Sequence, residues 1–101
     1  MATFSELING QKPELVDFHA TWCGPCKMMA PILESLKKQV GDAVTIIKID
    51  VDKNPETAGA YRIQGVPTLM LFREGKILWR QSGVVQANQL QQVTHQYSNN
   101  A

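Results

Sequence analysis

The chain has few of the residues that mark several large classes of protein. Only two of its 101 residues are cysteine, which is far below the cross-link density of a small secreted disulfide scaffold. Ten basic residues stand against nine acidic ones, and they are spread along the chain, so its charge gives no footprint for nucleic acid or an anionic membrane surface. No apolar run approaches the roughly 18–20 residues that span a bilayer.

What remains is the composition of one ordinary globular domain. Hydrophobic residues make up 44% of the chain, enough for a single core, and the length leaves no room for a second domain, so we expect one domain over residues 1–101. The first residues contain no basic segment followed by an apolar one. We therefore expect no secretory signal and a cytoplasmic protein.

Hydrophobic periodicity predicts the element order α-β-α-β-α-β-β-α. Helices are predicted near residues 4–8 and over 22–40 and 55–61, with a last one after Gly83. Pro31 falls inside the long helix, so a kink is expected there. Strands are predicted at residues 15–20, 43–51, 68–72 and 76–80. This order favours a mixed sheet with helices on both faces.

Particular residues mark the ends of several of these elements. Thr3 and Glu6 have the spacing of a capping box, and Gly10 is expected to end the first helix. Asn54 is expected to cap the third helix, in which Pro55 takes the first position. The Glu74-Gly75 pair predicts the turn of a hairpin between the last two strands.

The two cysteines lie three positions apart, where a predicted strand ends and a predicted helix begins. The helix N-terminus stabilises a thiolate, so Cys23 is expected to be the more exposed and more acidic thiol. Cys26 then lies close enough to attack a mixed disulfide formed at Cys23. A bridge closing so short a loop stabilises the fold by only about 2 kcal/mol, which makes redox chemistry the better explanation.

A proton acceptor for Cys26 is expected nearby. Asp17 lies mid-strand among apolar neighbours, just before the cysteines, and burial there would raise its pKa toward a useful range. Lys48, on the next strand, is the plausible partner of that acid, although the sequence does not show that the two side chains meet.

The segment from Val16 to Lys27, VDFHATWCGPCK, resembles the active-site segment of the thioredoxin family. The resemblance continues through residues 48–52, Asn54-Pro55, Tyr61, Ile63, residues 65–68, Gly75 and Gly83. The combination of WCGPCK with a downstream Val66-Pro67-Thr68 is highly specific, whereas a lone Cys-x-x-Cys is not.

The resemblance implies a thioredoxin-like three-layer α/β/α sandwich and a role for each site residue. Cys23 would be the nucleophile, Cys26 the resolving thiol, and Asp17 the buried proton acceptor paired with Lys48. Pro67 would be cis, leaving the backbone of Val66 free to pair with an extended substrate segment. The flat apolar surface that docks partners would comprise Trp22, Gly24, Pro25, Val66, Pro67, Gly83 and Val84.

The resemblance also implies a general protein-disulfide reductase that holds no bound cofactor. Its Cys23–Cys26 disulfide would take electrons from NADPH through a flavoprotein, thioredoxin reductase. Its substrates would be disulfide-containing proteins such as ribonucleotide reductase, peroxiredoxins and methionine sulfoxide reductases. We expect a monomer that binds neither nucleic acid nor membrane.

Two features depart from the family pattern. His19 stands where the family usually has tryptophan or another aromatic residue, and we hypothesise that it makes the reactivity of Cys23 depend more strongly on pH between about 6 and 8. A neutral, hydrogen-bonded substitute for the indole is the alternative. The chain before the motif is also short by roughly one strand, so a four-stranded sheet without the first edge strand is expected.

Other functions have to be weighed against this one. A zinc site would need two more ligands, and only His19 and His95 are available as histidines. Haem attachment would need histidine where Lys27 stands. An oxidase or isomerase of an oxidising compartment, and a clamp subunit that uses only the apolar surface, are the remaining rivals.

Overall fold

The computed structural model describes residues 3–98. The helices are α1 (Phe4–Leu7), α2 (Gly24–Val40), α3 (Pro55–Ala60) and α4 (Ala87–Ser98), and a 3₁₀ turn (Gly41–Ala43) follows α2. The strands are β1 (Glu14–His19), β2 (Thr45–Asp50), β3 (Thr68–Arg73) and β4 (Lys76–Ser82). The predicted order of elements is therefore confirmed.

Several predicted boundaries were wrong, and local hydrogen bonding explains them. The long helix begins at Gly24 instead of residue 22, because Cys23 has extended backbone and serves as the N-cap. The first helix ends before Gly10, since Ile8 already closes it through its N–H. Asn54 does occupy the N-cap of α3, but its side chain donates to the Asp50 carbonyl (2.9 Å) instead of capping the helix.

The four strands form one mixed sheet in the order β2-β1-β3-β4. β1 lies in the middle, parallel to β2 and antiparallel to β3, and β3 and β4 form the predicted hairpin. Its turn has positive φ at both Glu74 and Gly75, as a tight two-residue hairpin turn requires. The expected four-stranded sheet is confirmed.

Two apolar clusters fill the space on the two faces of the sheet. On one face Leu15 and Leu71 pack with the inner sides of α2 and α4, including Leu36 and Leu90. On the other face the neighbouring residues of the same strands pack with α1 and with the segment after α3. Successive strand residues point to opposite faces, so this alternation produces a three-layer sandwich.

A cluster of aromatic side chains packs α1 against the second face of the sheet. Phe4 of α1 lies 6.0 Å from Phe18, 5.3 Å from Tyr61 and 5.7 Å from Phe72 between ring centroids. The contacts with Tyr61 and Phe72 are edge-to-face, a favoured geometry for aromatic pairs. No helix within residues 3–98 combines the length and apolar character needed to cross a bilayer.

Candidate active site

The two cysteines lie at the first turn of α2. They form a disulfide, with their Cα atoms 5.3 Å apart. The turn between β1 and α2 is closed by a hydrogen bond from Cys23 N to the carbonyl of Ala20 (3.2 Å). Cys23 Sγ takes the place of a capping oxygen and accepts a hydrogen bond from the N–H of Cys26 at 3.1 Å. The helix therefore directs both a donor and the positive end of its dipole at the first sulfur.

The expectation that Cys23 is the more exposed thiol was wrong for this disulfide form. Cys23 is 4% exposed and Cys26 8%. Cys23 is covered because the segment before β3 lies against it: its Sγ is 3.5 Å from the carbonyl oxygen of Val66, and Val66 packs on the cysteine pair. The first sulfur thus lies beside a backbone edge.

That backbone edge belongs to a loop with a cis peptide bond between Val66 and Pro67, the geometry implied by the resemblance. The loop is held by a hydrogen bond in which the Pro67 carbonyl accepts from Gly83 N at 2.8 Å. Thr68 Oγ1 donates to the Gly65 carbonyl at 2.7 Å. The N–H of Val66 has no acceptor within the described part of the chain. One hydrogen-bonding group of this edge is therefore available to another chain.

The residues implied for docking differ widely in exposure. Trp22 is 70% exposed, Gly24, Pro25 and Gly83 are also exposed, Val66 and Val84 are half-buried, and Pro67 is buried. We call these seven residues the docking surface. Trp22 is held in place, because its indole N–H donates to Asp52 Oδ2 at 2.8 Å. Sequence reasoning missed Asp52, for nothing in the pattern indicates a contact between residues 30 positions apart.

Asp17 and Lys48 are register partners on the paired strands β1 and β2, so the backbone brings them side by side. Asp17 is 3% exposed and its Oδ1 atom has no hydrogen-bond partner in the described part of the chain, while Lys48 is exposed. Burial raises the pKa of the Asp17 carboxyl, and it is lowered in turn by His19, when its imidazole is protonated, and then by the positive charge of Lys48. The lysine therefore acts on Asp17 through its charge.

His95, the other histidine considered for the zinc alternative, is exposed on α4 and belongs to a different part of the fold from the cysteines. Between Thr3 and Ser98 no group of three or more His, Cys, Asp or Glu side chains is placed to hold a metal ion. The zinc alternative thus finds no support in the described residues.

Comparison with known proteins gives similarity over most of the chain. The thioredoxin family model matches residues 1–96. A thioredoxin-like protein of Synechocystis sp. is 52% identical over 90 residues, which are 88% of this chain and 86% of that protein. The thioredoxin of Bacillus subtilis is 45% identical over 83 residues, or 82% of this chain and 80% of that one.

Plant plastid proteins are also similar to the chain. The chloroplastic thioredoxin Y2 of Arabidopsis thaliana is 46% identical over 89 residues, covering 87% of this chain but 53% of the plant protein. The chain thus matches about half the length of that relative. A crystal structure of chloroplastic thioredoxin z superposes with a TM-score of 0.77 at 37% identity, covering 85% of this chain and 78% of that one.

Proposed function

The chain belongs to the thioredoxin family, and on that premise we propose that it works as a general protein-disulfide reductase. It is a thiol–disulfide oxidoreductase whose redox-active pair is Cys23 and Cys26. The observation that carries the proposal is the position of Cys23 Sγ, which caps α2 and accepts the Cys26 N–H at 3.1 Å. The same arrangement stabilises a thiolate once the disulfide is reduced.

The reaction begins when the Cys23 thiolate attacks a substrate disulfide. A new bond forms between Cys23 and one substrate sulfur, and the other substrate sulfur leaves as a thiolate that takes a proton from water. The dipole of α2 lowers the free energy of the attacking thiolate, and so does the Cys26 N–H. Cys23 is therefore assigned the role of nucleophile.

In the second step Cys26 resolves the mixed disulfide. Its thiol gives up a proton, its thiolate attacks Cys23 Sγ, and the second substrate sulfur leaves. Asp17 is assigned as the proton acceptor, because it lies on the side of β1 that faces α2 and its pKa is raised by burial. Lys48 is assigned as the charge that keeps this buried carboxyl able to ionise.

Substrate binding is proposed to use the free backbone edge beside Cys23. The Val66 N–H has no acceptor among residues 3–98 and its carbonyl lies 3.5 Å from Cys23 Sγ, so an extended peptide pairing with Val66 would bring its own disulfide to the nucleophile. Pro67 holds the edge in position, and Trp22, Gly24, Pro25, Gly83 and Val84 would contact the rest of the partner.

We further propose that the whole chain is one domain that acts as a monomer in the cytoplasm. Electrons would come from NADPH through thioredoxin reductase, and the proteins reduced would include ribonucleotide reductase, peroxiredoxins and methionine sulfoxide reductases. The near-neutral charge supports protein partners over nucleic acid or membrane. Since similar plant proteins are chloroplastic, the cytoplasmic assignment needs its own test by fractionation of the source cell.

The decisive experiment is insulin reduction driven by dithiothreitol, followed as turbidity. The protein is expected to accelerate the reaction and Cys23→Ser to abolish the acceleration. Cys26→Ser is expected to accumulate a covalent mixed disulfide, because the second step is blocked. No acceleration by the parent protein would refute the reductase assignment. Adducts on Cys23→Ser instead of Cys26→Ser would reverse the two roles.

A further inference from the structure

A solvent-filled cleft of about 320 Å³ opens beside Cys26. Its walls include His19 from β1, Lys48 from β2 and both Cys26 and Lys27 from α2. None of the residues that line the cleft belongs to the docking surface. A partner that covered only the docking surface would therefore leave this cleft open to solvent.

Among the titratable residues that line the cleft, His19 is the one nearest in sequence to Asp17. The two residues lie two positions apart on β1 and so point to the same face of the sheet, roughly 7 Å apart between Cα atoms. Asp17 is buried with Oδ1 unpaired, whereas His19 is half-exposed. His19 thus borders the cleft on the same face of the sheet as the buried carboxyl.

The charged groups around His19 are distributed over three elements. Asp17 precedes it on β1. On β2, Lys48 pairs with Asp17 and Asp50 pairs with His19. Lys27 lines the cleft from α2. Asp50 is engaged elsewhere, because its Oδ1 accepts from the N–H groups of Asp52 (2.9 Å) and Lys53 (3.3 Å). Of the two carboxyl groups near His19, Asp17 is therefore the one whose Oδ1 accepts no hydrogen bond from the described residues.

This arrangement leaves Asp17 with a proton that it cannot easily lose. Asp17 can accept the proton of Cys26 only in its ionised form, whereas burial favours the neutral carboxyl, so a protonated Asp17 must first lose its own proton in each reaction with substrate. Its side chain is almost completely buried, so bulk water has poor access to it. A neutral imidazole is an efficient acceptor near neutral pH and, at the edge of the cleft, can pass the proton to water.

We propose that His19 relays protons between Asp17 and the solvent of the cleft, directly or through one water molecule. This inference rests on the proposed reductase function. The proton leaves Cys26 for Asp17, moves from Asp17 to neutral His19, and is released from the imidazolium to water. The two departing substrate thiolates take protons from bulk solvent. When the active-site disulfide is reduced again, the proton returns by the reverse route.

The test compares His19→Ala and His19→Gln with the parent protein in single-turnover oxidation by insulin at low buffer concentration. Both variants are expected to react about tenfold more slowly at pH 7, since neither side chain exchanges protons there. Added imidazole should restore the rate of His19→Ala. The restoration should grow from pH 6 to pH 8, as the neutral fraction of imidazole grows, and the parent rate should be insensitive to imidazole.

Controls separate the relay from a structural effect and from failure of the function itself. His95→Ala removes the other histidine on a distant helix and should leave the rate unchanged. Melting temperatures show whether the His19 variants are folded. Unchanged rates in both variants would overturn the relay, and so would slow rates that imidazole does not restore. The reductase assignment fails only if the parent protein does not reduce insulin.

Discussion

At the scale of single residues, Asp17 stands out because it opposes folding. Its carboxyl is buried beside apolar neighbours with one oxygen unpaired, and burial raises its pKa above the ordinary value of 3.8. A raised carboxyl pKa means that ionisation is harder in the folded protein than in the unfolded chain. The residue therefore lowers stability at neutral pH and is explained by its proposed role in proton transfer.

Asp17→Asn should consequently stabilise the protein at neutral pH, by about 1–3 kcal/mol in the free energy of unfolding. The sign follows from linkage: the parent loses stability as pH rises from the unfolded pKa, near 3.8, through the raised folded value. The gain should therefore vanish at low pH and level off above the folded pKa. Urea unfolding of both proteins between pH 3 and 8 measures it.

Glu34→Gln provides the matched control for that experiment, because it neutralises an exposed carboxyl on α2. It should change stability little at any pH. A gain in Asp17→Asn that is the same at pH 3 and pH 8 would contradict the linkage argument. Slower insulin reduction by the more stable Asp17→Asn variant would fit the assigned proton acceptor.

At the scale of elements, the residues of the redox site lie on one face of the sheet, and a helix that supports the fold lies on the other. α2 carries the cysteines on one face, while α1 packs on the other through Phe4 and its three aromatic neighbours. α1 has only four residues and contains no buried ones, so it depends on packing by Phe4 and by Ile8, the buried residue that follows it. A substitution that weakens the packing of α1 should therefore lower stability and leave the chemistry at the cysteines unchanged.

Phe4→Ala should lower the free energy of unfolding by about 2–3 kcal/mol, because it removes the ring that joins α1 to the sheet. The rate of insulin reduction by the folded protein should remain within twofold of the parent. Chemical denaturation and the turbidity assay measure the two quantities. Leu7→Ala, at an exposed position of the same helix, is the control and should cost much less. A large loss of activity in folded Phe4→Ala would refute this separation.

Elements and local motifs could be predicted from the sequence because they depend on neighbouring residues. The strand-to-helix junction at Cys23 and the Glu74-Gly75 hairpin are of this kind. The pairing of Asp17 with Lys48 was a hypothesis, and only the parallel register of β1 and β2 brings them together. The Trp22–Asp52 hydrogen bond and the cover of Val66 over Cys23 depend on tertiary packing, so no local pattern indicates them.

At the scale of the whole molecule, the active site has two separate openings to its surroundings. In the proposed mechanism the docking surface would present apolar side chains and the backbone of Val66 to a protein partner, and the cleft beside Cys26 would connect the site with water. This arrangement matches the needs of a reductase, since a bulky substrate must cover Cys23 while protons still enter and leave.

Trp22→Ala tests whether the docking surface recognises proteins. The indole is 70% exposed, so its loss should hardly affect folding, but it removes the largest apolar side chain beside the cysteines. The rate with insulin should fall about fivefold, equivalent to roughly 1 kcal/mol of binding energy. The rate with a small, easily reduced disulfide such as 5,5′-dithiobis(2-nitrobenzoic acid) should stay within twofold, because a small molecule needs no docking surface.

The comparison needs a variant that removes an exposed apolar side chain elsewhere. Ile77, 51% exposed on β4, lies outside the docking surface, and Ile77→Ala should leave both rates unchanged. If Trp22→Ala slows both substrates equally, the indole acts on the cysteines, for instance by orienting the start of α2 through its bond to Asp52. If neither rate changes, the indole takes no part in protein recognition and this prediction is refuted.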